Sequence, residues 1–257
     1  MTETESKAYD RFSDYYDLMV ADRQPHIDFF SSLLEPGQTS LADIACGTGK
    51  VTAALAQRLR GINGGKPVRV VGVDGSSGML AEAARLHSGI EWALADIRDI
   101  PLAGGFELVI SVFNSLQHVN LADLATTFAA MRRITAEGGR LAFDIYKPNL
   151  PYLRMPQYNR MARTVITAAG ERLEIREDTE LVENETCLLL SWRLLSPERP
   201  GEPPLAETSY RIWQHQPEDV ERLLRQSGFQ IIERYGDLDR QPYDQAAKKQ
   251  VIVCRAI

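Results

Sequence analysis

The chain has 257 residues, 44% of them hydrophobic and 25% charged, with a net charge of −6 at neutral pH. A chain of this length buries on the order of three quarters of its unfolded apolar surface and needs no staple, and the scattered Cys46, Cys187 and Cys254 suggest neither a disulfide framework nor a zinc site. The acidic balance disfavours a nucleic-acid partner. No window approaches the ~20 apolar residues of a membrane span, and residues 1–5 lack a basic flank and an apolar core, so the expectation is a soluble, cytoplasmic protein.

Short apolar runs at 41–45, 68–73, 90–94, 108–113 and 139–145 alternate with helical stretches at 50–59, 76–86 and 122–134. In the last of these Leu124, Phe128 and Met131 recur at spacings of three and four, the mark of one buried helical face. Apolar strands separated by helices predict a doubly wound α/β fold, a parallel sheet covered on both faces. The period changes after Pro151. Residues 160–215 alternate, as in Leu173-Glu174-Ile175-Arg176, and turn chemistry at Ala169-Gly170, Glu183-Asn184 and residues 197–204 separates about four antiparallel strands. Pro217 then opens a helix that Gly228 ends, and two strands follow at 229–235 and 250–255. The α/β unit resumes there. Residues 1–150 and 216–257 thus read as one core, with 1–35 as a helical cover and 151–215 as a β-rich insertion after the fifth strand. The insertion leaves the carboxyl end of a parallel strand, where open α/β sheets bind ligands, so it reads as a substrate lid or as decoration.

The stretch Asp43-Ile44-Ala45-Cys46-Gly47-Thr48-Gly49 passes from a strand through a glycine turn into a helix. Gly47 and Gly49 allow backbone angles and close ligand approach that a Cβ would obstruct. Asp43 lies within the strand, an odd place for a carboxylate unless the ligand brings a cation. Thr52 stands where the third glycine of the dinucleotide fingerprint belongs, which argues against a pyrophosphate. Asp74 ends the second strand and has two readings: it accepts both ribose hydroxyls of an adenosine, or it caps the helix at Ser76. Asp96, ending the third, could accept from an adenine amino group while Ile97 and Met79 sandwich the ring. Composition and spacing carry the reading as far as an adenosine-type ligand.

Together these residues resemble the class I S-adenosylmethionine-dependent methyltransferases over nearly the whole chain, and Tyr9-Asp10-Arg11-Phe12 and Tyr15-Tyr16-Asp17-Leu18 extend the likeness to the cover. The resemblance implies a Rossmann-like seven-stranded sheet with the last strand antiparallel, and S-adenosylmethionine as cofactor, leaving S-adenosylhomocysteine as product. It places Gly47 and Gly49 by the methionine part, Asp74 at the ribose, and Asp96 with Ile97 at the adenine. Tyr9, Phe12, Tyr15, Asp43, Ala45, Cys46, Gly75, Met79, Phe113 and Asn114 complete the implied cofactor site. The Asn/Asp-Pro-Pro-Tyr/Phe motif of enzymes that methylate planar nitrogens is absent, as is the carboxylate cluster of magnesium-dependent catechol methylation.

The stretch Phe113-Asn114-Ser115-Leu116-Gln117-His118 is instead similar to small-molecule N-methyltransferases, including those of glycine and amino sugars. That implies a small-molecule acceptor, methylated on nitrogen rather than oxygen or carbon, with no metal, nucleic acid or membrane, and with monomer and homodimer both open. His118 is the candidate general base, because an imidazole's ordinary pKa of ~6.5 suits proton transfer near neutrality; its other reading is a packing histidine after a strand. Tyr16 is the second catalytic candidate. Gln117, Tyr146, Trp192 and Trp213 are the substrate candidates. Two further readings of the same crevice are a catalytically silent adenosine-binding module and a nicotinamide-dependent oxidoreductase.

Overall fold

The computed structural model describes residues 9–10, 13–20, 22–167, 169–182, 184 and 186–257. Helices α1 (Ser13–Met19) and α2 (Gln24–Ser31) precede an alternation of β1 (Ser40–Ile44), α3 (Lys50–Ile62), β2 (Arg69–Asp74), α4 (Ser77–Leu86), β3 (Glu91–Leu94) and β4 (Phe106–Ser111). A 3-10 turn (Ser115–His118), α5 (Leu121–Ile134) and β5 (Thr135–Tyr146) follow. The short α6 (Leu150–Leu153) then leads into β6 (Gln157–Ile166), β7 (Arg172–Val182), β8 (Cys187–Leu195) and β9 (Ala206–Trp213). Finally α7 (Pro217–Gln226), β10 (Phe229–Tyr235) and β11 (Lys249–Ala256) close the chain.

Seven strands form one sheet in the order β10-β11-β5-β4-β1-β2-β3, in which β11 runs antiparallel to both its neighbours. All five residues of β1 are buried, the signature of a strand covered on both faces. One face packs against α5 and α7, the other against α2 and α3. Leu124, Phe128 and Met131 of α5 are fully buried, with the Phe128 and Phe143 rings 5.6 Å apart. Each such side chain contributes roughly 1.5–3 kcal/mol of apolar transfer energy. Asn120 caps α5 by accepting the Asp123 N–H, and Pro217 starts α7 at the position where its missing N–H costs nothing. The last strand is antiparallel as expected, and so are the four strands of the second sheet, β6-β7-β8-β9.

The second sheet has a small core of Leu173, Ile175, Leu194 and Ala206, completed by Met19 and Tyr15 of α1. The cover helix is therefore built into the insertion. At the joint, Gln117 holds both strands that cross between the two sheets. Its Nε2 donates to the Trp213 carbonyl at 2.9 Å, and its Oε1 accepts the Tyr146 N–H at 2.8 Å. Beside it His215 is buried against the Leu116 carbonyl, and burial pushes its pKa down to about 4. Among the described residues no helix is long and apolar enough to cross a membrane.

Candidate active site

The carboxyl ends of β1 and β2 are tied by one carboxylate. Asp74 Oδ2 accepts the Gly47 N–H at 2.8 Å and Oδ1 accepts the Ser76 N–H at 2.9 Å, while Ser76 itself caps α4 through the Met79 N–H. Burial raises the Asp74 pKa, and the N–H groups oppose the rise. A carboxylate offers about four lone-pair positions, so with the Ser76, Gly47 and Gly75 N–H groups drawing on Asp74 at least one remains for a ribose hydroxyl. Capping and ribose binding are thus compatible. The turn from β1 into α3 is left-handed at Ala45, Gly47 and Gly49, with φ of 62°, 56° and 73°. A Cβ at Gly49 would lie 2.3 Å from Trp92 Cη2, so that glycine makes room for a tryptophan. Gly47 meets only the Tyr16 ring, at 3.6 Å, and faces the cavity.

The cover is pinned by two aspartates, one at the start of α4 and one at the glycine turn. Asp10 accepts from Ser76 Oγ at 2.6 Å and from the Gly78 N–H at 2.8 Å. Asp17 accepts from Thr48 Oγ1 and Arg23 Nη2, both at 2.7 Å, and pairs with Lys50 at 3.0 Å. These contacts set Tyr9 and Tyr16 over the cavity, where burial pushes the Tyr16 pKa up to about 12. Tyr9 Oη lies 3.2 Å from His118 Nε2. The Tyr210 ring of β9 stands 5.5 Å from Tyr9, 5.3 Å from His118 and 5.6 Å from Trp192. Trp192 Nε1 donates to Glu177 Oε2 at 2.7 Å. Aromatic faces from three parts of the chain thus converge, with a carboxylate behind them.

The opposite wall is a buried ion cluster. Asp144, fully buried at the end of β5, receives Lys249 Nζ, lies 3.2 Å from His26 Nε2 and accepts the Phe113 N–H at 2.9 Å. Desolvation alone would raise this carboxyl, but Lys249 and His26 hold it well below the usual range. Phe113 and Asn114 are consecutive left-handed residues, with φ of 59° and 60°. Such angles cost on the order of 1–3 kcal/mol each outside glycine and need support from their surroundings. Asp144 grips the first, His26 stacks on its ring at 3.7 Å, and Lys249 reaches Asn114 Oδ1 at 3.4 Å.

A cavity of about 420 Å³ lies between these walls. Of the residues singled out from sequence it gathers Tyr9, Tyr16, Ala45, Gly47, Asp74, Met79, Phe113, Asn114, His118, Tyr146 and Trp192. Others lie off its lining. Tyr15 packs in the core of the second sheet, Cys46 and Gly49 shape the turn, Gly75 lies beside Asp74, and Ile97 is 4% exposed in the main core. Asp43 is fully buried, accepts Thr52 Oγ1 at 2.6 Å, and is pushed up to about 7 by desolvation. Asp96 is gripped by Arg98 Nε and Nη2, which keep it below the carboxylate range despite partial burial. Gln117 and Trp213 form the joint described above. Phe12 lies outside the described residues.

Sequence reasoning did not select His26, Glu177, Tyr210 or Lys249, all of which line the cavity. One signal was present, since Asp144 sits in an apolar run and a buried carboxylate that stays ionised needs a compensating cation or donors nearby. Among the described residues no three His, Cys, Asp or Glu side chains cluster as a metal site would require.

Residues 41–139 match a family described as a methyltransferase domain. The chain is 30% identical over 167 residues to a 2-phytyl-1,4-naphtoquinone methyltransferase of Thermosynechococcus vestitus, an alignment spanning 63% of this chain and 70% of that protein. It superposes on the CcbJ methyltransferase of Streptomyces caelestis with a TM-score of 0.76 at 20% identity, over 100% of this chain and 99% of that one. An amino pentose methyltransferase from Micromonospora echinaspora, solved with S-adenosylmethionine bound, gives a TM-score of 0.70 at 16% identity, over 96% of both chains. These two likenesses concern the fold.

Proposed function

Because the chain belongs to the S-adenosylmethionine-dependent methyltransferases of class I, the small-molecule kind, we propose that it methylates an amine nitrogen of a small acceptor held under the β-rich insertion. The observation that carries this reading is the shared cavity: Gly47 and Asp74 of the cofactor turn and the ring cluster Tyr9, His118, Trp192 and Tyr210 line one chamber. The residues fit the cofactor, since Gly47 lines the chamber with backbone alone and Asp74 retains lone-pair capacity for a ribose.

When bound, S-adenosylmethionine supplies a sulfonium methyl open to in-line displacement by an acceptor nucleophile. The chain supplies position and dryness. Fixing two reactants in line is worth about 7–11 kcal/mol in favourable cases. The Tyr9, Tyr16, Trp192 and Tyr210 faces attract a cationic amine through their ring quadrupoles, at ~0.5–2 kcal/mol each, and the Glu177 carboxylate adds its field. An ammonium acceptor must lose a proton before its lone pair can bond to carbon. The proposed base that takes it is His118, a reading supported by its imidazole lining the chamber 3.2 Å from the Tyr9 hydroxyl. The insertion, with Trp192 and Tyr210, is the lid that excludes water.

Calorimetry with S-adenosylhomocysteine tests this reading. Asp74→Ala should weaken binding at least tenfold, about 1.4 kcal/mol. His118→Ala should leave binding within about twofold yet slow transfer to an amine by roughly 10² to 10⁴. No binding by the wild type at millimolar ligand would sink the reading.

A further inference from the structure

The chamber is not the largest cavity in the molecule. A second, of about 1160 Å³, lies between the four-stranded sheet, the 146–155 segment and the 245–248 loop. The two cavities share Tyr146, Glu177, Leu190 and Ile212, so they meet across a waist. The inner chamber, at about 420 Å³, lies toward the small end of the ~300–1,000 Å³ range of ligand pockets. Once a cofactor occupies the Gly47 and Asp74 side, what remains suits a reacting group and not a bulky acceptor body.

We propose that the outer cavity binds the part of the acceptor that does not react, and that this part is a neutral hydroxylated ring, such as a sugar. The acceptor is then a conjugate that reaches its amine through the waist. The proposal rests on the methyltransferase reading and names the acceptor class for that site. The lining chemistry carries it. Gln216 and Gln245 present side-chain amides, which both donate and accept and so match hydroxyls, which do the same, while Gln157 and Gln214, whose Nε2 atoms donate to Tyr152 Oη at 3.1 Å and to the Ile212 carbonyl at 2.9 Å, add their Oε1 acceptors. Tyr146 and Tyr152, each about half exposed, offer ring faces to the apolar side of a saturated ring.

Most of the charge here is already engaged. Arg160 pairs with Glu177, and Lys147 Nζ donates to the Asp244 and Gln245 carbonyls at 2.8 and 3.0 Å. Lys248 is the lining cation with no partner among the described residues.

The experiment is ligand-observed NMR with phenyl β-D-glucopyranoside, run on the full chain with and without saturating S-adenosylhomocysteine. Binding in the millimolar range is expected, weakened about fivefold by Tyr152→Ala and by Gln245→Ala, the size of one lost hydrogen bond or contact. Neither residue lines the inner chamber, so S-adenosylhomocysteine affinity should stay within about twofold. Absence of glucoside binding at ~10 mM, or binding indifferent to both variants, overturns the proposal. Tighter binding of glucose 6-phosphate that Lys248→Met abolishes overturns the neutral class. Glucoside binding without S-adenosylhomocysteine binding would sink the methyltransferase reading and leave the outer site standing.

Discussion

Asp144 and Asp43 are both fully buried carboxylates at strand positions, yet their surroundings drive them in opposite directions. Asp144 answers Lys249 and His26. Its removal leaves both buried groups uncompensated and frees the Phe113 N–H, so Asp144→Ala should cost about 3–5 kcal/mol in urea unfolding at pH 7. A loss below ~1 kcal/mol would mean the cluster is not closed as described. Asp43 has no cation beside it among the described residues, and desolvation raises it from 3.8 to about 7. An acid whose folded pKa exceeds its unfolded value stabilises fully below the unfolded value, and that contribution is lost as pH rises through the folded one. Wild type should therefore lose stability between pH 4 and 7, by at most ~4 kcal/mol from this group. Asp43→Asn keeps an oxygen for Thr52 and removes the titration. Its advantage over wild type should grow from pH 5 to pH 8 in thermal melts, and a gap constant with pH would refute the assignment.

At the scale of elements, the cover is the part whose attachment is most local. Helix α1 has seven residues, too short to persist alone in water, and is held to the glycine turn by the Asp17 contacts to Thr48 and Lys50. Asp17→Ala should leave global stability within about 1 kcal/mol while weakening S-adenosylhomocysteine roughly tenfold, measured by denaturation and calorimetry on the same sample. Equal losses in both would place Asp17 in the core of the fold. The core elements were readable because their periods are unambiguous: α5 shows Leu124, Phe128 and Met131 on one face, and the insertion strands alternate. The glycine turn was readable for the same local reason.

Side chains brought in from distant segments were not. Glu177 and Tyr210 reach the cavity only because β7 and β9 fold back over it, a register no single strand announces. Asp96 lies off the cavity lining, and Arg98, two residues on, engages both its oxygens, which the strand-end position alone does not announce. Trp213 serves the joint through its backbone carbonyl, a use that no side-chain pattern announces.

Across the whole molecule, the chamber's walls come from the cover, the core and the second sheet, so one ligand touches all three. S-adenosylhomocysteine at 100 times its Kd should add about 2.7 kcal/mol of stability, a rise of roughly 5–10 °C in Tm for a chain of this size. Hydrogen exchange should then slow in β8 and β9 as well as at the glycine turn. Protection confined to the turn would separate the insertion from cofactor binding and return it to decoration.

The Gln117 amide binds the outgoing Tyr146 and the returning Trp213 to one point on the core. The four-stranded sheet is therefore mounted like an interchangeable tool head. A replaced head keeps that grip on the core but must still present a face to Met19 and Tyr15 of the cover, so under the proposed reading a change of acceptor is made within the sheet and not at its mount.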